Sequence, residues 1–301
     1  MAVARWLEKF VNHEMFALYM SQGYNLVHGY VVDARAIGRT DRSRALFEGL
    51  YLDEEVGSDA RVGDIATLRF PLWPTDEVIS AMGGTTPKEQ AITGGQFLER
   101  PPFRGNGMVS LPRDPIAALM YIEPTVLRAG AQLIRHTPDD APESVIATYK
   151  GPQRGWVPAD DPTREPLLVR PNGLLGPQVR GRNDTRPYPA DLVLSDDGAI
   201  VEAYVLDMVG TQLGSAAIPL PDLIEAGFMR TRVRWKDLPC LVTHNMGKEG
   251  FRVMSQAHDA YAAEAAGMRR LEAGVYVDTV PAGKLPFPEM SMAVPLDWPG
   301  A

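Results

Sequence analysis

Leu192-Val193-Leu194-Ser195-Asp196-Asp197-Gly198-Ala199-Ile200-Val201-Glu202-Ala203-Tyr204-Val205 is the stretch on which the fold class turns. Two runs rich in Val, Leu and Ile flank a polar turn ending in Asp-Gly, a dipeptide suited to a tight hairpin. The reading is a pair of antiparallel strands. Working outward, residues 26–33, 65–72 and 275–280 read as further strands, and 133–149 holds one or two more. Helical spacing marks residues 4–20, where Trp6, Leu7, Phe10, Val11, Met15, Leu18 and Tyr19 share a broad face before Gly23. It also marks 254–273, where Met254, Ala257, Tyr261, Ala265, Met268 and Leu271 recur before Gly274. Shorter helices are expected at 43–50, 115–121 and 221–226. Another should start at the capping box Thr86-Pro87-Lys88-Glu89. The expected fold is α+β: a mostly antiparallel central sheet, or split sheets, with helices at both chain ends.

The 301 residues, 45% of them apolar, can build one large domain or two modest ones. The expected division is a main α+β domain over 1–215 and a C-terminal extension over 216–301 packed on it. Residues 150–190 stand apart. They are rich in proline and arginine (Arg154, Arg164, Arg170, Arg180, Arg182, Arg186) and lack periodicity, which reads as a surface loop, an arm or a lid. The net charge of -8 speaks against general nucleic-acid binding, which needs a basic face. The single cysteine, Cys240, cannot form an internal disulfide. The apolar runs are far shorter than a membrane span, and Arg5, Glu8 and Lys9 stand where a secretory signal would be apolar. The expected location is the cytoplasm, or a destination reached by a signal-less export route.

Familiar catalytic signatures are missing. There is no phosphate-binding Gly-x4-Gly-Lys-Ser/Thr loop and no Gly-x-Ser-x-Gly elbow. His13-Glu14 lacks the second histidine of a zinc-protease helix, and the five histidines are scattered, so no metal is expected. His28 is the histidine of interest. It lies inside an apolar strand, and the following Gly29 allows something to approach the backbone closely.

Four segments in order carry a resemblance: Asn25-Leu26-Val27-His28-Gly29, Ala45-Leu46-Phe47-Glu48-Gly49-Leu50, Gly105-Asn106-Gly107-Met108-Val109-Ser110, and Ala117-Ala118 with Tyr121. With Glu202-Ala203-Tyr204-Val205-Leu206-Asp207 later in the chain, they resemble the poly-ADP-ribose-polymerase-type ADP-ribosyltransferases. The resemblance spans about residues 25–210 and implies NAD as substrate. It implies that His28 bonds a ribose hydroxyl, that Gly29 pairs with the nicotinamide amide, and that Tyr121 stacks on the nicotinamide ring. It also implies that Glu202 stabilises the oxocarbenium-like transition state. Tyr30, Gly107 and Ser110 fall at the remaining cofactor-contacting positions. The chain departs from the family pattern in three ways, one of them a long gap between His28 and Gly105 that must hold an insertion. Tyr30 replaces a threonine after His-Gly, and Met108-Val109-Ser110 replaces an aromatic pair. Glu289 is a second candidate carboxylate.

The first functional expectation is therefore an NAD-dependent glycosyl transferase or glycohydrolase with an unknown acceptor. The alternative is a non-enzymatic structural or assembly protein, a homo-oligomer built through its proline-rich arm and tail.

Overall fold

The computed structural model describes residues 5–37, 65–101, 103–110, 116–136, 142–152, 154–163, 172–185, 187–195, 198–206, 212–219 and 222–293. The helix expected at 43–50 lies outside them. The chain divides into two compact units. The first comprises residues 1–169 and 257–276, the second 170–256 and 277–301.

In the first unit the strands are β1 (Trp6–Val11), β2 (Leu26–Asp33), β3 (Ile65–Pro71), β4 (Val78–Ser80), β5 (Gly83–Gly84), β6 (Phe97–Leu98), β7 (Met108–Val109), β8 (Ala117–Ala118), β9 (Met120–Val126), β10 (Gln132–His136), β11 (Ser144–Tyr149) and β12 (Trp156–Pro158). Helix α1 (His13–Gln22) follows β1, α2 (Ala34–Ile37) follows β2, and α3 (Pro87–Thr93) follows β5. The main sheet has the order β12-β11-β10-β3-β1-β2-β9-β4, and every pairing described within it is antiparallel.

The second unit holds β13 (Leu175–Gly181), β14 (Tyr188–Ser195), β15 (Gly198–Leu206), β16 (Gln212–Pro219), β17 (Leu223–Trp235), β18 (Leu238–Asn245) and β19 (Phe251–Ser255). The chain then returns to the first unit as α4 (Ala260–Ala265), β20 (Arg269–Glu272) and the first residues of β21 (Val275–Val280). The rest of β21 and β22 (Glu289–Ala293) belong to the second unit, where the order is β16-β15-β14-β13-β17-β18-β19-β21 with β22 also on β17.

The expected α+β class with helices at both ends is overturned. The protein is mostly β, built on two large antiparallel sheets, and among the described residues its helices are few and short. The N-terminal "helix" is a strand followed by a helix. β1 is buried on both faces, so it reads as a continuous run rather than an alternation, and Leu7, Phe10 and Val11 match helical spacing by accident. The α1 helix starts at Asn12, whose side chain accepts from the Met15 amide, and ends at Gly23 as expected. In 254–273 the apolar period spans three elements: the end of β19, the six-residue α4, and β20. The helices expected at 115–121 and 221–226 are strands, β8 with β9 and the start of β17. β9 is buried throughout, and burial on both faces again hides the period of two.

Other expectations are met. Ser195 pairs with Gly198, closing the β14–β15 hairpin. The Thr86 capping box starts α3, with Glu89 reaching back. The segment 150–190, by contrast, was expected as a surface loop, arm or lid and instead contributes β12, β13 and the start of β14, with Trp156 within it buried. Among the described residues no helix is long and apolar enough to cross a membrane.

Candidate functional site

Four of the sequence-selected residues converge in the first unit. His28, Gly29 and Tyr30 lie on β2, and Tyr30 pairs directly with Tyr121 on β9. The pairing slips by one residue between Val27 and Gly29, so Glu123 and Pro124 of β9 oppose His28 alone. This is a β-bulge, and Pro124, having no N–H to give a ladder, is tolerated there. The bulge places His28 and Glu123 at the heart of two polar centres.

In the first centre His28 is fully buried. Its Nδ1 is 2.6 Å from Glu272 Oε1 and its Nε2 is 2.9 Å from the Tyr24 hydroxyl. Lys9 Nζ donates to the Glu272 carboxylate and, at 2.5 Å, to the His28 carbonyl. Burial lowers the His28 pKa and outweighs the Glu272 charge, which pulls it up. Burial alone would raise the Glu272 pKa, yet Lys9 and His28 hold it below the ordinary carboxylate value. The consistent state is Glu272 charged and His28 neutral. Nδ1–H then donates to Glu272 and Nε2 accepts from Tyr24, which uses both ring nitrogens. Tyr19 and Trp156 enclose the group, their rings 5.3 Å apart, and the Trp156 indole donates to the Tyr24 carbonyl.

Two glycines let the β20–β21 turn approach this strand. A Cβ on Gly29 (φ +89) would lie 3.2 Å from Glu272 Oε1, and one on Gly274 (φ +72) would lie 3.0 Å from the Tyr30 ring. The Tyr121 hydroxyl donates to the Gly274 carbonyl at 3.0 Å.

The second centre is aromatic. Tyr30 packs on Phe97, Phe103 and Tyr121. His258 packs on Phe97 and Tyr121, with Nε2 2.7 Å from Glu123 Oε1. His258 has φ 53, rare for a residue with a side chain. Tyr30 Oη and His258 Nδ1 are buried without a hydrogen-bond partner among the described residues. Burial raises the pKa of both Tyr30 and Tyr121, keeping the phenols protonated.

A third polar group lies on the other face of β1. Glu8, fully buried, accepts from Thr67 at 2.5 Å and from Arg69 at 2.7 Å, and Arg69 also makes a two-pronged contact with Glu143. His136 Nε2 is 3.0 Å from Thr67 Oγ1.

The remaining sequence candidates lie elsewhere. Gly107 is buried in the turn before β7, and Ser110 is exposed just after it. Glu202 is in the second unit, on β15, paired with Asp191 on β14 and Ala217 on β16; its side chain is outside the described residues. Glu289 heads β22 opposite Arg232 and is exposed. Sequence reasoning missed Lys9, Tyr24, Glu123, His258 and Glu272. The available signals were Glu8-Lys9 inside an apolar run and Pro124 inside a strand-like one. Among the described residues no group of three or more His, Cys, Asp or Glu side chains could hold a metal.

The accessible feature is in the second unit. β16 ends its sheet, and among the described residues no strand pairs with its outer side. It is eight residues long and uncharged (Gln212, Leu213, Gly214, Ser215, Ala216, Ala217, Ile218, Pro219). Ala216 and Ala217 point to opposite faces, and both are exposed. The end strands of the first sheet, β4 and β12, are only three residues each. Short, charged or covered edges are how sheets avoid adding strands. β16 is neither short nor charged, but it ends in Pro219 and carries a one-residue bulge at Leu213 against β15. No protein-family model, curated protein or solved structure matches this chain.

Proposed function

We propose that the protein acts as a non-catalytic interaction protein that joins other chains by adding a strand to the β16 edge. The single observation behind this reading is β16, eight residues long and uncharged, with no strand on its outer side among the described residues, where the end strands of the first sheet are three residues each. The buried centres fit the same reading. Their ionic groups are paired with one another inside the first unit and serve to hold β1, β2, β3 and β20 together.

Hydrogen exchange tests the proposal. The β16 amides that point away from β15 exchange quickly on an open edge and slowly when another strand covers them. Slow exchange that becomes fast in a Ser215→Pro variant is the expected result. Fast exchange in every form of the chain, both alone and with an uncharged extended peptide added, and with no change of native mass in that variant, would overturn it.

Transfer from NAD is the second reading. What favours it is the placement of His28, Gly29, Tyr30 and Tyr121 on two paired strands. It ranks second because both His28 ring nitrogens are already engaged and Tyr121 is 1% exposed. Its test is nicotinamide release from NAD, with Glu202→Gln as control. Absence of both nicotinamide release and an NAD-induced rise in melting temperature would remove it. Cys240 is buried, which pushes its thiol up to about 11; an unreactive lone thiol suits the cytoplasm, the compartment we propose.

A further inference from the structure

We infer that Asn106 is a site of spontaneous covalent modification. Its carboxamide is lost as ammonia through a ring closed by the Gly107 nitrogen, which leaves an aspartyl or isoaspartyl residue. Asparagine is chemically labile where a glycine follows it, because no side chain then screens the attacking main-chain nitrogen. The chain holds two such pairs, Asn106-Gly107 and Asn172-Gly173. Their surroundings set them apart.

Locally the two are alike. Asn106 Oδ1 accepts from the Met108 amide at 3.0 Å, and Asn172 Oδ1 accepts from the Leu174 amide at 2.9 Å. Each bond folds the carboxamide forward over the peptide that follows it, as an Asx turn. It also sets an N–H donor on the oxygen that turns negative when nitrogen adds to Cγ. Asn245 makes the same turn, to the Gly247 amide at 2.9 Å, but Met246 follows it and screens the nitrogen.

The difference lies at the leaving nitrogen. Asn172 Nδ2 donates to the Thr243 carbonyl, and the Asn172 carbonyl accepts from Gln178 Nε2 at 2.9 Å. Ring closure there breaks the first bond and turns a peptide that the second holds. Asn106 is exposed, and its Nδ2 donates to no acceptor among the described residues. Ammonia can leave it for water, and water can reach the ring.

In the first step the Gly107 nitrogen bonds to Asn106 Cγ and gives up its proton. The bond from Cγ to Nδ2 breaks, and that nitrogen leaves as ammonia with the proton. One water then opens the cyclic imide. Opening at Cγ gives aspartate, and opening at the main-chain carbonyl gives isoaspartate, whose backbone is longer by one carbon. The turn has no spare room for that carbon. A Cβ on Gly105 would overlap the Gly83 carbonyl oxygen, and one on Gly107 would lie 2.7 Å from Met82 Cγ. The Gly107 carbonyl accepts from the Leu119 amide at 2.9 Å, beside the β7–β8 pair, which isoaspartate should loosen first.

The experiment incubates the full chain at mildly alkaline pH, folded and in guanidinium chloride, and follows each Asn-Gly peptide by mass after digestion. Conversion adds about 1 Da, and the isoaspartyl form elutes apart from the aspartyl one. In denaturant both pairs should convert at similar rates. In the folded chain Asn106 should convert roughly tenfold faster than Asn172, the effect of one retained hydrogen bond on the barrier. Asn106→Gln, an exposed change, should abolish the gain in its own peptide and leave the Asn172 peptide unaltered. Exchange at the Leu119 amide should quicken as isoaspartate accumulates, and a Leu119 amide that stays slow would overturn that local consequence. Equal folded rates at the two pairs, or a faster one at Asn172, would overturn the modification itself. So would a folded Asn106 that stays intact while denaturant converts it.

Discussion

β1 carries adjacent, opposite charges, and its two faces hold them differently. On one face Glu8 connects outward, through Arg69 to Glu143, whose side chain is 39% exposed. On the other face Lys9 connects inward, to Glu272 and His28, at 3%, 7% and 0% exposure. A charge wired to the surface keeps a route to water if one partner is lost. A closed pair has none, so loss of one partner strands the other in a low-dielectric interior. The comparison separates a polar group that tolerates change from one that does not, inside a single strand.

The hardest way to break the comparison is Lys9→Met. It leaves the Glu272 carboxylate buried with only a neutral imidazole, and should cost about 3–5 kcal/mol in urea unfolding. The double variant Lys9→Met/Glu272→Leu removes both charges and should recover much of that loss. Glu8→Gln should cost clearly less than Lys9→Met, because Arg69 keeps its two-pronged contact with Glu143. Equal losses on the two faces would erase the distinction.

Part of this was legible in the sequence. The β14–β15 hairpin announced itself through Asp-Gly, α3 through its capping box, and β2 and β21 through compact apolar runs. Two central strands, β1 and β9, were not legible as strands, whereas β2, equally buried, was read from its uninterrupted apolar run. β1 and β9 are covered on both faces, so their sequences lack the polar–apolar alternation that identifies a half-exposed strand. The same burial hid the polar centre. His28 was singled out for its Gly29, but its partners Lys9 and Glu272 lie 19 residues before it and 244 after it, with no local pattern linking them. Glu8-Lys9 fell within the helix expected over 4–20, when it is the charged middle of a buried strand.

Acid sharpens the comparison on the closed face. The folded His28 pKa is lowered below the ordinary histidine value by burial. The unfolded chain therefore takes up the proton first, and stability present above about pH 6.5 is lost as the pH falls below it. The folded Glu272 pKa is also lowered, through Lys9 and His28 acting against burial. Its contribution is present above about pH 4.5 and is lost further down. Both groups push the same way. Urea midpoints should fall between pH 7 and pH 5, and His28→Asn should flatten that interval while leaving the fall below pH 4.5. A His28→Asn protein with an unchanged slope between pH 7 and pH 5 would show that other histidines carry it.

The smallest effect belongs to the outer end of the open face. Glu143→Gln leaves Arg69 bonded to Glu8 and removes a pair whose carboxylate is partly solvated, so it should cost about 0–1 kcal/mol. Its size matters less than its dependence on salt. An exposed pair is screened over roughly 10 Å at 0.1 M ionic strength, whereas a pair sealed from water is screened much less. Raising salt should therefore shrink the Glu143→Gln cost towards zero and leave the Lys9→Met cost nearly unchanged. If both costs fell together, Lys9 would have to be in contact with solvent, and the inward-facing side of β1 would be as open as the other.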